Sequence, residues 1–159
     1  MQINVGDKLP NLTLKVMGDQ GPEEISIEKI TAAKKVVWFA VPGAFTPGCS
    51  NTHLPGYVVL ADEIKAKGVD HIVCLSVNDA FVMGAWGKAQ NAEALIMLAD
   101  GNGELTEAMG LTMDASGYQM GARSQRYAMI IEDGVVTHIA VEPKGGIDVS
   151  AAEKILTLL

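Results

Sequence analysis

The stretch from Val41 to Gly56, VPGAFTPGCSNTHLPG, gathers a thiol, a hydroxyl and an imidazole among turn-forming residues. Cys49 is one of 2 cysteines in the chain; Thr46 lies just before it and His53 just after. As a thiolate, such a cysteine is a redox nucleophile. With His53 as base, at i+4 on one helical face, it is the core of a cysteine hydrolase or acyl transferase. With further ligands it could hold a metal. The alternative is no chemistry at all, because free cysteine is among the most buried residue types and often only fills space.

The neighbours of Cys49 favour the first of these. The run VVWFAV (36–41) is continuously apolar, β-branched and aromatic, which predicts a strand buried on both faces, and Pro42-Gly43 ends it. Thr46 is then expected to cap a helix with Pro47 at its first position. Leu54, Val58, Ala61 and Ile64, with Tyr57 beside them, carry the helical spacing on to Gly68, and Pro55 predicts a kink or a broken first turn. Cys49 therefore falls in the first turn of a helix. The N–H groups and dipole there favour an anion, and a strand-to-helix switch is where open α/β sheets carry their sites. Cys74, inside HIVCLSV (71–77), has apolar neighbours on both sides and reads as an inert core residue. Position 52 is Thr, so there is no CxxC; His53, His71 and His138 form no ligand-spaced pair, and no phosphate-binding glycine motif occurs.

Further elements must hold this segment. After the strand at 71–77 come a helix at AFVMGAWGKAQNA (80–92), a short strand at ALIML (94–98), and a turn with a short helix at 101–110. RYAMII (126–131) and VVTHIAV (135–141) flank Glu132-Asp133-Gly134, a strong hairpin signal. SAAEKILTLL (150–159) reads as a terminal helix with Ser150 as N-cap and Glu153 completing a capping box. Alternating strands and helices imply a parallel crossover sheet, and the hairpin adds antiparallel strands. The result is an α/β fold with a mixed central sheet flanked by helices on both faces, for which thioredoxin-like architecture is the expected match.

The chain has 159 residues, 48% of them hydrophobic, which suits one domain spanning 1–159. A net charge of −7 argues against nucleic-acid or anionic-membrane partners. No apolar run suits a membrane span and no secretory leader is visible, and two cysteines make no disulfide framework. A reducing compartment, the cytoplasm, is the expectation.

PGAFTPGCS (42–50) resembles the peroxidatic-cysteine motif PxxxTxxC of peroxiredoxins, in the form shared by the type-5 or plant type II subfamily. The likeness continues through CSNTHLPGY (49–57), CLSVND (74–79), AWGKAQ (85–90), RSQRYAMIIEDGVV (123–136) and VEP (141–143). The resemblance implies a thiol peroxidase on a thioredoxin fold, without cofactor or metal. It makes Cys49 the peroxidatic nucleophile, with Thr46 orienting thiolate and peroxide. Arg126, rather than the nearby Arg123, would be the stabilising guanidinium. Pro42 would shield the sulfur, and the backbone N–H groups near Gly48 and Cys49 would complete the donor set. Within that pattern His53 is not the proton acceptor.

Some subfamily members carry a resolving cysteine near the C-terminus, whereas residues 144–159 here contain none. A bridge needs Cα atoms within about 7 Å, so a Cys49–Cys74 disulfide would demand rearrangement. The resemblance then implies an external thiol as resolver, either glutathione with glutaredoxin or thioredoxin. It also implies a homodimer packed through the active-site face, for which Phe45, Phe81, Trp86 and Tyr118 are candidate apolar edges. Three other readings stay open: a redox-inert binding or chaperone module, a disulfide oxidoreductase, and a cysteine hydrolase using His53.

Overall fold

The computed structural model describes residues 1–143 and 146–159. Its first element is one the periodicity did not announce: a hairpin of β1 (Thr13–Gly18) and β2 (Gly21–Ser26). Only Leu14 of β1 is fully buried and none of β2 is, so neither strand carries a clear apolar alternation. A short helix, α1 (Ile27–Thr31), follows, capped by the Ser26 hydroxyl, which accepts from the Lys29 N–H.

The central strand β3 (Lys35–Val41) is buried on both faces, as its unbroken apolar run requires. Val37, Phe39 and Val41 join one core while Val36, Trp38 and Ala40 join the other, the period of two expected for a strand. Beyond it come α2 (Leu54–Ala66), β4 (His71–Ser76), α3 (Ala80–Ala89), β5 (Ile96–Ala99) and α4 (Glu104–Ala108). Two short strands, β6 (Thr112–Asp114) and β7 (Ala122–Ser124), form a separate antiparallel ribbon. The chain closes with β8 (Tyr127–Glu132), β9 (Val135–Val141) and α5 (Ala152–Leu156).

The main sheet runs β2-β1-β5-β4-β3-β8-β9. Strands β3, β4 and β5 are parallel, and β8 pairs antiparallel with β3 and then with β9. Asp133 (φ 51°) and Gly134 (φ 78°) make the turn between β8 and β9, as the Asp-Gly pair predicts. Helices α2, α3 and α5 cover one face of the sheet, and α1 and α4 the other. This is a thioredoxin-like α/β fold with a mixed sheet between helical layers. No helix among the described residues is long and apolar enough to cross a membrane.

The terminal helix departs from the expected capping box. Ala151 is its N-cap and makes no side-chain cap bond; the Ser150 hydroxyl donates instead to Glu142 Oε2, at 2.7 Å. A charged acceptor outcompetes the helix N–H groups for that hydroxyl.

Candidate active site

Strand β3 delivers the chain to Pro42, and residues 43–46 turn it into a helix. Phe45 holds φ at +65°, a left-handed conformation that non-glycine residues adopt at a cost of about 1–3 kcal/mol. The turn is held by Asn78 beyond the end of β4, whose Oδ1 accepts from the Ala44 N–H at 3.0 Å and from the Ser76 hydroxyl. The helix begins at Pro47, as expected, with Ser50 N–H to Thr46 O at 2.8 Å as its first bond. The Thr46 side chain is not the cap: its hydroxyl donates back to Gly43 O at 2.7 Å.

Cys49–His53 then form one turn of π-helix, closed by Leu54 N–H to Cys49 O, before α2 proper begins. This is the broken first turn that Pro55 predicts: proline has no N–H to bond backward, and the widened turn accommodates it. The turn buries both Cys49 and His53. The Trp86 indole N–H donates to Ser50 Oγ at 2.9 Å, tying α3 to the same turn.

Arg126, just before β8, reaches the sulfur. Its Nη2 donates to Cys49 Sγ at 3.2 Å and its Nη1 meets His53 Nδ1 at 2.8 Å. Arginine has only donors, so Nδ1 is the acceptor; His53 Nε2 lies 3.0 Å from Ser150 O, an acceptor, and carries the proton. His53 is thereby fixed as one neutral tautomer. Burial, more than the proximity of Arg126, lowers its pKa from 6.5 to about 4, although the Ser150 carbonyl and Glu142 oppose the shift. Among the described residues no carboxylate forms an ion pair with Arg126, so its charge is directed to the sulfur.

A cleft of about 670 Å³ opens over this arrangement, with Pro42, Thr46, Gly48, Arg126 and Glu142 as well as the more apolar Met113, Tyr118 and Met120 in its lining. Cys49 itself has no exposed surface. Arg123 is elsewhere engaged, with Nε donating to Met120 O at 3.0 Å. Cys74 lies mid-strand in β4 opposite Phe39, and burial, together with the neighbouring Cys49, pushes its pKa well up. Trp86, a candidate surface edge, is fully buried, because its indole packs into the core beside the π turn; Phe45, Phe81 and Tyr118 are exposed. Among the described residues no cluster of His, Cys, Asp and Glu could hold a metal.

Residues 4–156 match the Redoxin family model. Peroxiredoxin-2D of Arabidopsis thaliana is 45% identical over 99% of this chain and 98% of its own length. The chain is a peroxiredoxin. Peroxiredoxin-2E-2, chloroplastic, of Oryza sativa subsp. japonica is 48% identical over 99% of the chain and 72% of that protein. A crystal structure of reduced Prx3 in complex with hydrogen peroxide from Vibrio vulnificus superposes with a TM-score of 0.95, at 57% identity and 99% coverage of both chains. These relatives set this peroxiredoxin among the type-5, plant type II members, and its activity is that of an antioxidant thiol peroxidase.

The motif pointed to Pro42, Thr46, Gly48, Cys49 and Arg126, and the fold brings them to one cleft or its floor. Sequence reasoning offered His53 only as the base of a hydrolase, whereas its ring meets Arg126 and Ser150 O, and it left Asn78 and Glu142 without roles, although each sits in a block that resembles the family. Their signal was position in those blocks, but Ala44, Ser150 and Arg126, which Asn78 and His53 meet, lie 34 to 97 residues away, and Glu142 is met across the 146–150 segment.

Proposed function

We propose that this peroxiredoxin reduces hydrogen peroxide and organic hydroperoxides through Cys49 and is recycled by an external thiol. The observation that carries this reading is the 3.2 Å hydrogen bond from Arg126 to the Cys49 sulfur. A charged donor on the sulfur fixes its orientation and sets a positive charge beside the reacting atoms.

The Cys49 thiolate attacks the terminal oxygen of the hydroperoxide. An S–O bond forms, the O–O bond breaks, and sulfur is oxidised by two electrons to a sulfenic acid. The departing oxygen takes up a proton and leaves as water or an alcohol. Arg126 stabilises the thiolate and then the charge that develops on the leaving oxygen. The N–H groups of Gly48 and Cys49, which precede the first helical bond, complete the donor set. Because the Thr46 hydroxyl gives its proton to Gly43 O, its lone pairs are left to accept the hydrogen of the peroxide. Pro42 at the lip keeps bulk water from the sulfur, so these interactions act in a low dielectric. Met113, Tyr118 and Met120 offer an apolar wall suited to an organic substituent.

The sulfenic acid condenses with one external thiol, releasing water, and a second thiol reduces the mixed disulfide. Glutathione with glutaredoxin, or thioredoxin, fills this role. Cys74 is a poor internal resolver, because its raised pKa leaves little thiolate and its strand holds it in place. Phe45 and Tyr118, exposed at the site, support a homodimer packed through this face, with Phe81 on α3 as a further edge. The two free thiols suit the cytoplasm.

One equivalent of hydrogen peroxide, followed by intact mass measurement, tests the cycle. One added oxygen is expected, removed by glutathione with glutaredoxin or by thioredoxin. Loss of two hydrogens instead would mean that Cys74 or a second subunit resolves Cys49, against an external resolver.

A further inference from the structure

The VEP block has no step in the peroxide chemistry above, yet Glu142 and Pro143 line the same cleft and one oxygen of Glu142 accepts three hydrogen bonds. Glu142 Oε2 accepts from the Asp148 N–H at 2.7 Å, from the Ser150 N–H at 2.9 Å and from the Ser150 hydroxyl at 2.7 Å. That grip fixes the Ser150 carbonyl, which takes the His53 Nε2–H at 3.0 Å and the Tyr57 hydroxyl at 2.7 Å. His53 Nδ1 in turn accepts from Arg126 Nη1. The Glu142 backbone N–H donates to Arg126 O at 2.9 Å, so the bonds close into a ring that begins and ends on Arg126.

We propose that Glu142 is a positioning residue for the peroxidase reaction, acting through Ser150 and His53 to hold the Arg126 guanidinium on the Cys49 sulfur. This rests on the assignment of Cys49 and Arg126 under the proposed function. The design has a physical rationale. A carboxylate bonded directly to Arg126 would orient it but also cancel its charge at the sulfur. A neutral imidazole orients it and leaves the charge in place. The imidazole can accept from arginine only while its proton stays on Nε2, and the Ser150 carbonyl keeps it there. Glu142 supplies the negative charge one step further out, where it anchors the 148–150 turn rather than the guanidinium. Stacking of Phe39 on Tyr57, with ring centroids 3.9 Å apart, holds the second donor to the same carbonyl.

The test compares wild type, Glu142→Ala and Glu142→Gln by single-turnover oxidation of Cys49 with hydrogen peroxide, alongside the ¹⁵N resonances of the His53 ring. Wild type should show the single Nε2–H tautomer. Glu142→Ala should oxidise about tenfold more slowly, the scale of coupling through a packed network, and show a mixture of tautomers. Glu142→Gln retains one neutral acceptor and should fall between them; it also carries the test if the alanine variant does not fold. A lower melting temperature with an unchanged oxidation rate would make Glu142 merely structural and overturn the proposal. Slower oxidation with the His53 tautomer intact would also overturn it, because the effect would then bypass the ring. A wild-type protein that oxidises no faster than a free thiol would instead overturn the assignment of Cys49 and Arg126 on which the ring depends.

Discussion

Cys49 and Cys74 belong to one hydrophobic cluster, both without exposed surface, and differ in what surrounds their sulfur atoms. Cys74 is locked into β4, with its backbone in the ladder between Phe39 and Met97. Burial there disfavours the thiolate, and the residue behaves as a small apolar side chain. Cys49 sits in a π turn at a helix start, where a guanidinium donates to its sulfur. Burial alone thus tells nothing about reactivity. On the proposed function, what separates an inert thiol from a nucleophile is a charged donor that, among the described residues, forms no ion pair with a carboxylate.

The largest way to break this contrast is to remove the proposed nucleophile. Cys49→Ser should slow peroxide consumption by on the order of 10³-fold or more, read by stopped flow. Next is the donor: Arg126→Met should cost about 10²–10³-fold in the same rate constant, the scale of losing a preorganised transition-state donor. Arg126→Lys should recover only part of that loss, because an ammonium cannot bond Cys49 and His53 through one planar fork. Thr46→Val should cost about 10- to 100-fold, while Thr46→Ser, which keeps the hydroxyl, should stay near wild type.

Two smaller effects concern stability. His53 has a folded pKa of about 4 against an ordinary 6.5, so the unfolded chain binds more protons between those values. Stability should therefore rise with pH through this window and be lost as pH falls from 6.5 toward 4, by up to about 3 kcal/mol. Glu142 works in the same direction. Burial alone would raise its pKa, but the Ser150 hydroxyl and the Asp148 and Ser150 N–H groups lower it, so its contribution is also lost in acid. Urea unfolding at several pH values checks this, and His53→Gln, which cannot titrate, should flatten the slope. Smallest of all, Cys74→Ala should leave the oxidation rate unchanged and cost about 1 kcal/mol of stability. A rate that fell with Cys74 would erase the distinction between the two thiols.

Much of the fold was legible because its determinants are local. The unbroken apolar run of β3, the Thr46-Pro47 helix start, the disturbance before Pro55 and the Asp133-Gly134 turn each act over a few residues. The β1–β2 hairpin was not legible, since an edge pair with little burial leaves only a weak alternation. One motif with its downstream blocks pointed to Cys49, Thr46 and Arg126, which the fold brings close together. The direction of the Thr46 hydroxyl, the pairing of His53 with Arg126 and the bond from Ser150 to Glu142 were not legible. Each depends on competition between acceptors that the sequence lists but does not bring together; Ser150, for example, has the composition of a helix cap and serves a carboxylate instead.

The most direct test of the contrast between the two thiols is a single-turnover reaction of wild type, Cys49→Ser and Cys74→Ser with one equivalent of hydrogen peroxide, followed by tryptophan fluorescence. Trp86, bonded to Ser50 inside the turn that carries Cys49, is the natural reporter. Fast oxidation is predicted for wild type and Cys74→Ser and should vanish in Cys49→Ser, with the added oxygen mapped to Cys49. Wild-type oxidation no faster than that of a free thiol, or oxygen found on Cys74, would contradict the account.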